Sequence, residues 1–113
     1  MIKIYHNPRC SKSRLAVTYL KDKNVDFEII KYLDDHFTSE TLTEVISKLG
    51  FTPIELVRKN EAIWKTEFKG KHLKDTEIIN AMVKYPKLIE RPIIVKNNKA
   101  VVARPTEIIK DIL

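Results

Sequence analysis

The sequence has one cysteine, two glycines and no long apolar run among its 113 residues. A single cysteine cannot form a disulfide within the chain, so a packed core has to stabilise the fold. No segment approaches the roughly 20 apolar residues of a membrane-spanning helix, and no basic segment with a long apolar stretch opens the chain. Repeats, low-complexity tracts and linkers are also missing. We therefore expect a single cytoplasmic domain over residues 1–113 that has no membrane partner.

Charged residues are plentiful and of both signs. Lysine and arginine number 21 against 15 aspartates and glutamates, which gives a net charge of +6. Such an excess suits nucleic acids or small anions. The basic residues are not interleaved with aromatic ones and form no nucleic-acid motif, so we expect no nucleic-acid partner. Most lysines are interpreted as a solvated surface, and no spacing typical of metal ligands occurs.

The N-terminal third has the pattern of a strand–helix–strand unit. Residues 2–5 form a short apolar strand, a helix covers about 11–23, and 27–30 form a second strand. Such a crossover is right-handed and makes the two strands parallel. The side chains at helical spacing, which we expect to face the core, are Leu15, Ala16, Tyr19 and Leu20.

The middle of the chain has helical character. Apolar residues recur at intervals of three and four up to Gly50, a typical residue after a helix end. Residues 52–55 have the pattern of a capping box at the start of a short helix. Asp75 is a candidate cap for a further helix that ends before Pro86. Residues 60–74 show too little periodicity for a prediction.

The last third changes to β character. Residues 92–95 and 100–102 are rich in β-branched side chains and flank Asn97 and Asn98, which tolerate positive φ, so an antiparallel hairpin is predicted. Pro105 then opens a final helix, and its inward side chains are expected to be Ile108, Ile109, Ile112 and Leu113. This element order is that of a thioredoxin-like α/β fold. It predicts a four-stranded mixed sheet flanked by helices, with a helical insertion between the βαβ and ββα halves.

Cys10 lies between the first strand and the first helix, where redox motifs of thioredoxin-like proteins occur. Unpaired backbone N–H groups and the positive end of the helix dipole favour a thiolate there. The neighbouring cations Arg9, Lys12 and Arg14, and His6 when protonated, act in the same direction. Helix N-termini also bind oxyanions, so one loop could hold a nucleophile and its target. The alternative is a small, buried and inert side chain.

Ser13 occupies the place of the second cysteine in a Cys-x-x-Cys pair. The protein therefore cannot close a disulfide by itself, and a redox role would require an outside thiol. The sequence predicts either a monothiol catalyst or a protein without redox activity.

Three of the five arginines, Arg58, Arg91 and Arg104, lie far from Cys10 in the sequence. Two of them directly precede a proline at the edge of a predicted β element, where they are poorly placed to cover a helix. The planar guanidinium matches oxyanions and keeps its charge. Three converging arginines would suit a doubly charged tetrahedral anion. The alternative is three solvated surface side chains.

Several blocks of the chain resemble the glutaredoxin-dependent arsenate reductase family, which has a thioredoxin-like fold. The blocks occur in the family's order and cover nearly the whole chain. They are His6-Asn7-Pro8-x-Cys10-Ser11-x-Ser13-Arg14, Tyr32-Leu33, Leu56-Val57-Arg58-Lys59-Asn60, Ile89-Glu90-Arg91-Pro92-Ile93-Ile94-Val95 and Ala103-Arg104-Pro105-Thr106-Glu107.

The resemblance implies roles for individual residues. Cys10 matches the nucleophile, and His6 matches a histidine thought to help keep the cysteine ionised. The residues that match arginines holding the oxyanion and the arsenic intermediate are Arg58, Arg91 and Arg104. Pro92 matches a cis proline beside the active site. The candidate substrate-binding residues are Asn7, Ser11, Lys12, Ser13, Arg14 and Pro92.

The resemblance also implies an activity. It is the reduction of arsenate, or a similar oxyanion, to arsenite in arsenical resistance, with glutathione as co-substrate, glutaredoxin as partner and no tightly bound cofactor. Two alternatives stay open. Redox-linked transcriptional regulators of this fold family bind RNA polymerase, but they typically carry the second cysteine that Ser13 replaces here. A glutathione-dependent thiol oxidoreductase for another substrate would keep Cys10 and the arginines.

Overall fold

The computed structural model describes the whole chain, Met1–Leu113. Its backbone contacts divide the chain into two compact units. The first comprises Met1–Asp35 with Arg91–Leu113, and the second comprises His36–Glu90. The second unit is the predicted helical insertion between the two halves of the first.

The first unit contains a four-stranded sheet, one α-helix and one 3₁₀ helix. Its elements are β1 (Ile2–Tyr5), α1 (Ser11–Asp22), β2 (Phe27–Ile30), β3 (Ile93–Lys96), β4 (Lys99–Val102) and the 3₁₀ helix Thr106–Ile112. The strand order is β2-β1-β3-β4. Strand β1 runs parallel to β2, and β3 runs antiparallel to both β1 and β4. The predicted mixed sheet is confirmed.

The core of the first unit lies where α1 and the 3₁₀ helix pack on the sheet. Ile4 and Ile94 are partners in the register of β1 and β3, and residues paired in this way point to the same face of a sheet. Both therefore enter the core together. Its buried members are Ile2, Ile4, Ala16, Leu20, Ile94, Ala103, Ile109 and Ile112.

The prediction that Leu15 faces this core is wrong, because its side chain is 50% exposed. The buried positions of α1 are Ser13, Ala16 and Leu20. Successive residues of an α-helix are about 100° apart around the axis, so Leu15 points away from the stripe that contains Ala16. The predicted inward positions of Ala16 and Leu20 are confirmed, and Tyr19 packs against the core, but the apolar pattern does not detect Ser13, the polar residue that begins the buried stripe.

The C-terminal part of the first unit follows the predicted hairpin and helix. The turn between β3 and β4 consists of Asn97 and Asn98, and Asn97 has a φ of 56°. In the final helix, which is a 3₁₀ helix, Ile109 and Ile112 are buried as expected. Leu113 is 39% exposed, which corrects its predicted inward position. It follows the last helical residue, so no turn of helix directs its side chain to the core.

The second unit is entirely helical. Its elements are α2 (Ser39–Leu49), the 3₁₀ helix Pro53–Leu56, α3 (Ala62–Glu67), α4 (Asp75–Lys84) and the 3₁₀ helix Pro86–Leu88. Gly50 ends α2 with a φ of 70°, and the predicted capping box is present, since the Thr52 N–H donates to Glu55 Oε1 over 2.8 Å. No helix of the protein has both the length and the apolar character to traverse a lipid bilayer.

The prediction of Asp75 as a helix cap is wrong by one residue. The N-cap of α4 is Lys74, and its backbone N–H donates to Glu77 Oε1 over 2.9 Å. The carboxylate three residues ahead satisfies the N–H group that precedes the helix, so Asp75 becomes the first helical residue.

Helix α3 lies in the segment without a prediction, and its buried Trp64 stacks on Phe68 with ring centroids 5.4 Å apart.

Two leucines of α1 provide a test of this packing. We expect Leu20→Ala to lower the free energy of unfolding by about 2–5 kcal/mol, because it empties a fully buried position. Leu15→Ala, the same substitution at an exposed position of the same helix, should change it by less than about 0.5 kcal/mol. Urea denaturation followed by circular dichroism measures both. Equal losses in the two variants would contradict this orientation of α1.

Candidate active site

The loop between β1 and α1 carries the cysteine. Because a residue before proline disfavours helical geometry, Asn7 delays the helix, and α1 begins at Ser11. Cys10 is the N-cap residue, with extended backbone angles φ −95° and ψ 122°. Its side chain is partly buried. The predicted place of the thiol at the first turn of a helix is confirmed.

Asn7 organises the loop around the cysteine. Its backbone carbonyl accepts the Cys10 N–H over 3.0 Å, and its side-chain Oδ1 accepts the Arg9 N–H over 3.0 Å. Its own N–H donates to Ser13 Oγ over 3.0 Å. All three hydrogen bonds stay within the loop and the first turn of α1. Asn7 thus shapes the site, and its contact with a substrate, which the sequence predicts, stays a prediction.

The register of the sheet brings two distant arginines to this loop. Tyr5, the last residue of β1, pairs with Ile93 at the start of β3. Ile93 in turn pairs with Val102 at the end of β4. Arg91 comes just before this row of residues and Arg104 just after it, so both lie at the end of the sheet where the β1–α1 loop begins.

Arg104 reaches the sulfur. Its Nη2 lies 3.5 Å from Cys10 Sγ, across 94 positions of sequence. Its Nε donates to the backbone carbonyl of Arg91 over 2.8 Å. A guanidinium is a rigid fork, so fixing one edge aims the other. The carbonyl of Arg91 therefore helps to direct Arg104 towards the thiol.

The pKa of the Cys10 thiol is lowered from its ordinary value. Burial has the largest single influence and raises the pKa, because it disfavours the thiolate. The backbone N–H groups of Ser13 and Lys12 face the sulfur and lower it, although the side chain makes no regular capping hydrogen bond. The charges of Arg91 and Arg104 lower it further. Together the lowering influences outweigh burial and favour the thiolate.

The cations that lower this pKa are not the ones that the sequence suggested. The side-chain charges of Arg9, Lys12 and Arg14 are not among its causes, and Lys12 acts through its backbone N–H alone. All three residues have exposed side chains, where solvent screens their charge. Proximity in sequence therefore gave the wrong source of the positive charge.

The surroundings of His6 disfavour its protonated, positively charged form. Its Nδ1 lies 2.6 Å from Ser13 Oγ, and both residues are buried. Burial chiefly lowers the pKa of the imidazole, and the charges of Lys31 and Arg14 lower it further. A lowered pKa favours the neutral imidazole, so the protonation on which the expected contribution of His6 to the thiolate depends is disfavoured. Ser13 connects the two residues, since its Oγ bonds to His6 Nδ1 and its backbone N–H faces the Cys10 sulfur.

Three further candidate residues of the first unit, Ser11, Lys12 and Pro92, differ in their exposure to solvent. Ser11 and Lys12 are exposed at the start of α1. Pro92 is buried and follows a cis peptide bond, as the resemblance implies. A second cis bond, which the sequence did not suggest, precedes Pro105.

Arg58 belongs to the second unit, where it has acidic partners. Its Nη2 lies 3.5 Å from Glu61 Oε2, its Nε lies 3.9 Å from Glu90 Oε1, and its Nη1 donates to the Lys87 carbonyl over 3.2 Å. These contacts hold the guanidinium in an ordered position within its own unit.

The sequence missed Ser13 as the centre of a hydrogen-bond network. Its fully buried Oγ takes part in bonds to both His6 and Asn7. The signal was present, because a serine on the buried stripe of a helix requires polar partners.

The protein contains no group of three His, Cys, Asp or Glu side chains arranged to hold a metal ion.

A mixed sheet with this strand order, and a cysteine at the start of the first helix, define a thioredoxin-like protein. The model of the ArsC family matches residues 5–112. The chain is 41% identical over 114 residues to the uncharacterized protein YfgD of Escherichia coli (strain K12), covering 99% of this chain and 96% of the relative. It is 37% identical over 114 residues to the arsenate reductase of Neisseria meningitidis serogroup A, covering 99% and 97%.

A solved structure supports the same assignment. The arsenate reductase from Vibrio cholerae superposes with a TM-score of 0.95 at 38% sequence identity, covering 99% of this chain and 97% of that one. The protein therefore belongs to the ArsC family, and the thioredoxin-like fold and the family resemblance predicted from the sequence are both confirmed.

The lowered pKa of Cys10 can be measured by alkylation. We expect the rate with iodoacetamide to rise with pH around a midpoint below about 8.5, the usual value for a cysteine. Arg104→Gln should move this midpoint upwards, because it removes a positive charge next to the sulfur. Arg9→Gln is the matched control and should leave it in place. A midpoint that is the same in Arg104→Gln as in the unmodified protein would contradict the assigned role of Arg104.

Proposed function

We propose that this protein is an arsenate reductase in which the Cys10 thiolate is the nucleophile. The observation that carries the proposal is the approach of Arg104 Nη2 to Cys10 Sγ, 3.5 Å, at the N-terminus of α1. An ionised sulfur next to a guanidinium suits attack on an anion, because the same positive charge attracts the substrate and favours the thiolate.

The arginines and the helix terminus would hold the oxyanion. Arg91 and Arg104 stand at the same end of the sheet as the thiol, and backbone N–H groups of α1 face it. A tetrahedral arsenate dianion matches this arrangement of donors. We propose Arg58 as the third arginine on the basis of the family motif around it. Ser11 and Lys12, exposed at the first turn of α1, are proposed to contact the substrate.

The proposed reaction begins with attack of the Cys10 thiolate on arsenic(V), which expels one oxygen as water. Glutathione then replaces a second oxygen, so that arsenic is bound to two sulfurs. A glutaredoxin thiolate attacks the glutathione sulfur, forms a mixed disulfide and leaves the electron pair of the broken bond on arsenic, which becomes arsenic(III). Water finally releases arsenite and regenerates the thiol. Two thiols are oxidised for each arsenic reduced.

The proposed dependence on glutathione and glutaredoxin is supported by the number of thiols in the protein. Cys10 is the only cysteine, and Ser13, in the place of a second one, is fully buried and hydrogen-bonded. The second thiol must therefore come from outside, and glutaredoxins act on mixed disulfides with glutathione. We also propose a cytoplasmic location, where thiols are kept reduced.

The proposal predicts arsenite formation from arsenate with glutathione and glutaredoxin, and its loss in Cys10→Ser. Speciation of arsenic by liquid chromatography measures the product. Thioredoxin in place of glutaredoxin should not support turnover. Arsenite formation by Cys10→Ser would overturn the nucleophile assignment. Unmodified protein that consumes glutathione with another substrate, and forms no arsenite, would favour the alternative of a different glutathione-dependent oxidoreductase.

The assignment of Arg58 has its own test. We expect Arg58→Gln to lower kcat/KM for arsenate about tenfold or more, because a fixed positive donor is lost from the oxyanion site. The fold should persist, since the ion pairs of Arg58 are partly open to solvent, and pairs near the surface each contribute about 1 kcal/mol or less. Lys59→Gln, at the adjacent exposed position, is the control. Equal steady-state kinetics in the two variants would remove Arg58 from the site.

A further inference from the structure

Arg14 contacts the nucleophile loop at two places, at the cysteine itself and two residues before it. Its backbone N–H donates to the carbonyl of Cys10 over 3.0 Å. Its side chain turns back, and Nη1 donates to the carbonyl of Pro8 over 2.9 Å. The first of these bonds is the ordinary start of a helix, whereas the second depends on the side chain alone.

The second bond completes the restraint of one peptide group. The peptide between Pro8 and Arg9 has its N–H accepted by Asn7 Oδ1 over 3.0 Å and its carbonyl bound by Arg14. With both ends held, the plane of this peptide cannot rotate without breaking a hydrogen bond. Cys10 follows Arg9 directly, so the orientation of this peptide is one of the restraints on the position of the sulfur, beside the hydrogen bonds of the Cys10 backbone itself.

The guanidinium of Arg14 has a different environment from that of Arg104. Arg104 approaches the sulfur directly, while Arg14 binds a backbone carbonyl on the loop. The charge of Arg14 is not among the causes of the lowered Cys10 pKa. An effect of Arg14 on the thiol would therefore have to pass through the loop.

We propose that Arg14 is a positioning residue: it fixes the Pro8–Arg9 peptide and so holds the Cys10 sulfur towards Arg104 and the first N–H groups of α1. This inference rests on the proposed role of Cys10 as a nucleophile. It assigns to Arg14 a function other than binding the substrate, which the sequence motif had suggested. The side chain acts on the reaction through the loop and does not touch the oxyanion.

The test compares Arg14→Gln with Arg9→Gln, an exposed arginine of the same loop. Because Cys10 is the only thiol, the rate of reaction with iodoacetamide at pH 7 reports on it alone and requires no arsenate. We expect about a tenfold lower rate, and a similar fall in kcat for arsenate, in Arg14→Gln. Arg9→Gln should match the unmodified protein in both. The inhibition constant of sulfate, a tetrahedral anion that is not reduced, should change less than about twofold in either variant.

Amide hydrogen exchange supplies a direct readout of the loop. The Arg9 and Cys10 amides should exchange faster in Arg14→Gln, while the amides of the β1–β3 pair keep their protection. Weaker inhibition by sulfate with an unchanged alkylation rate would show that Arg14 is an anion ligand and would overturn the proposal. So would unchanged exchange at Arg9 and Cys10. Failure of the unmodified protein to reduce arsenate would instead overturn the proposed function, because the alkylation and exchange measurements do not depend on it.

Discussion

The sulfur of Cys10 is subject to two opposing influences. Burial disfavours its ionised form, while two backbone N–H groups and two guanidinium groups favour it. The favourable side prevails because these four groups together outweigh burial. Dipoles and charges that are already in place also require no reorganisation during the reaction. The loop, the start of α1 and the ends of β3 and β4 are the parts of the fold that keep this arrangement in place.

The sheet links these parts. Antiparallel pairing of β3 with both β1 and β4 sets Tyr5, Ile93 and Val102 in one row. The loop with Cys10 follows Tyr5 at the end of β1. Arg91 lies two residues before Ile93 of β3, and Arg104 lies two residues after Val102 of β4. A shift of one residue in the register would turn the neighbouring side chains to the opposite face. Stability of the hairpin and reactivity of the thiol are therefore coupled through the register.

Local patterns predicted much of this architecture. The strands, the turn at Asn97, the capping box and the helix-start position of Cys10 all depend on residues close in sequence. The errors have physical causes. The apolar pattern places Leu15 in the core wrongly, because a polar residue, Ser13, holds a buried position that such a pattern does not detect. The sequence predicts that neighbouring cations lower the Cys10 pKa, while the charges that do so belong to Arg91 and Arg104, which the sheet register brings near. His6 would favour the thiolate only when protonated, and its burial lowers the pKa of the imidazole and so disfavours that form.

Arg91 and Arg104, on either side of the β3–β4 hairpin, lower the pKa of the Cys10 thiol and so favour its thiolate. Ultraviolet absorbance of the thiolate, recorded against pH with Cys10→Ser as the blank, measures this most directly, since the protein has one thiol. The claim predicts a single transition below about 8.5 that moves upwards when Arg91 and Arg104 are both replaced by Gln. A transition at or above that value in the unmodified protein, or one that the double replacement leaves in place, would contradict it.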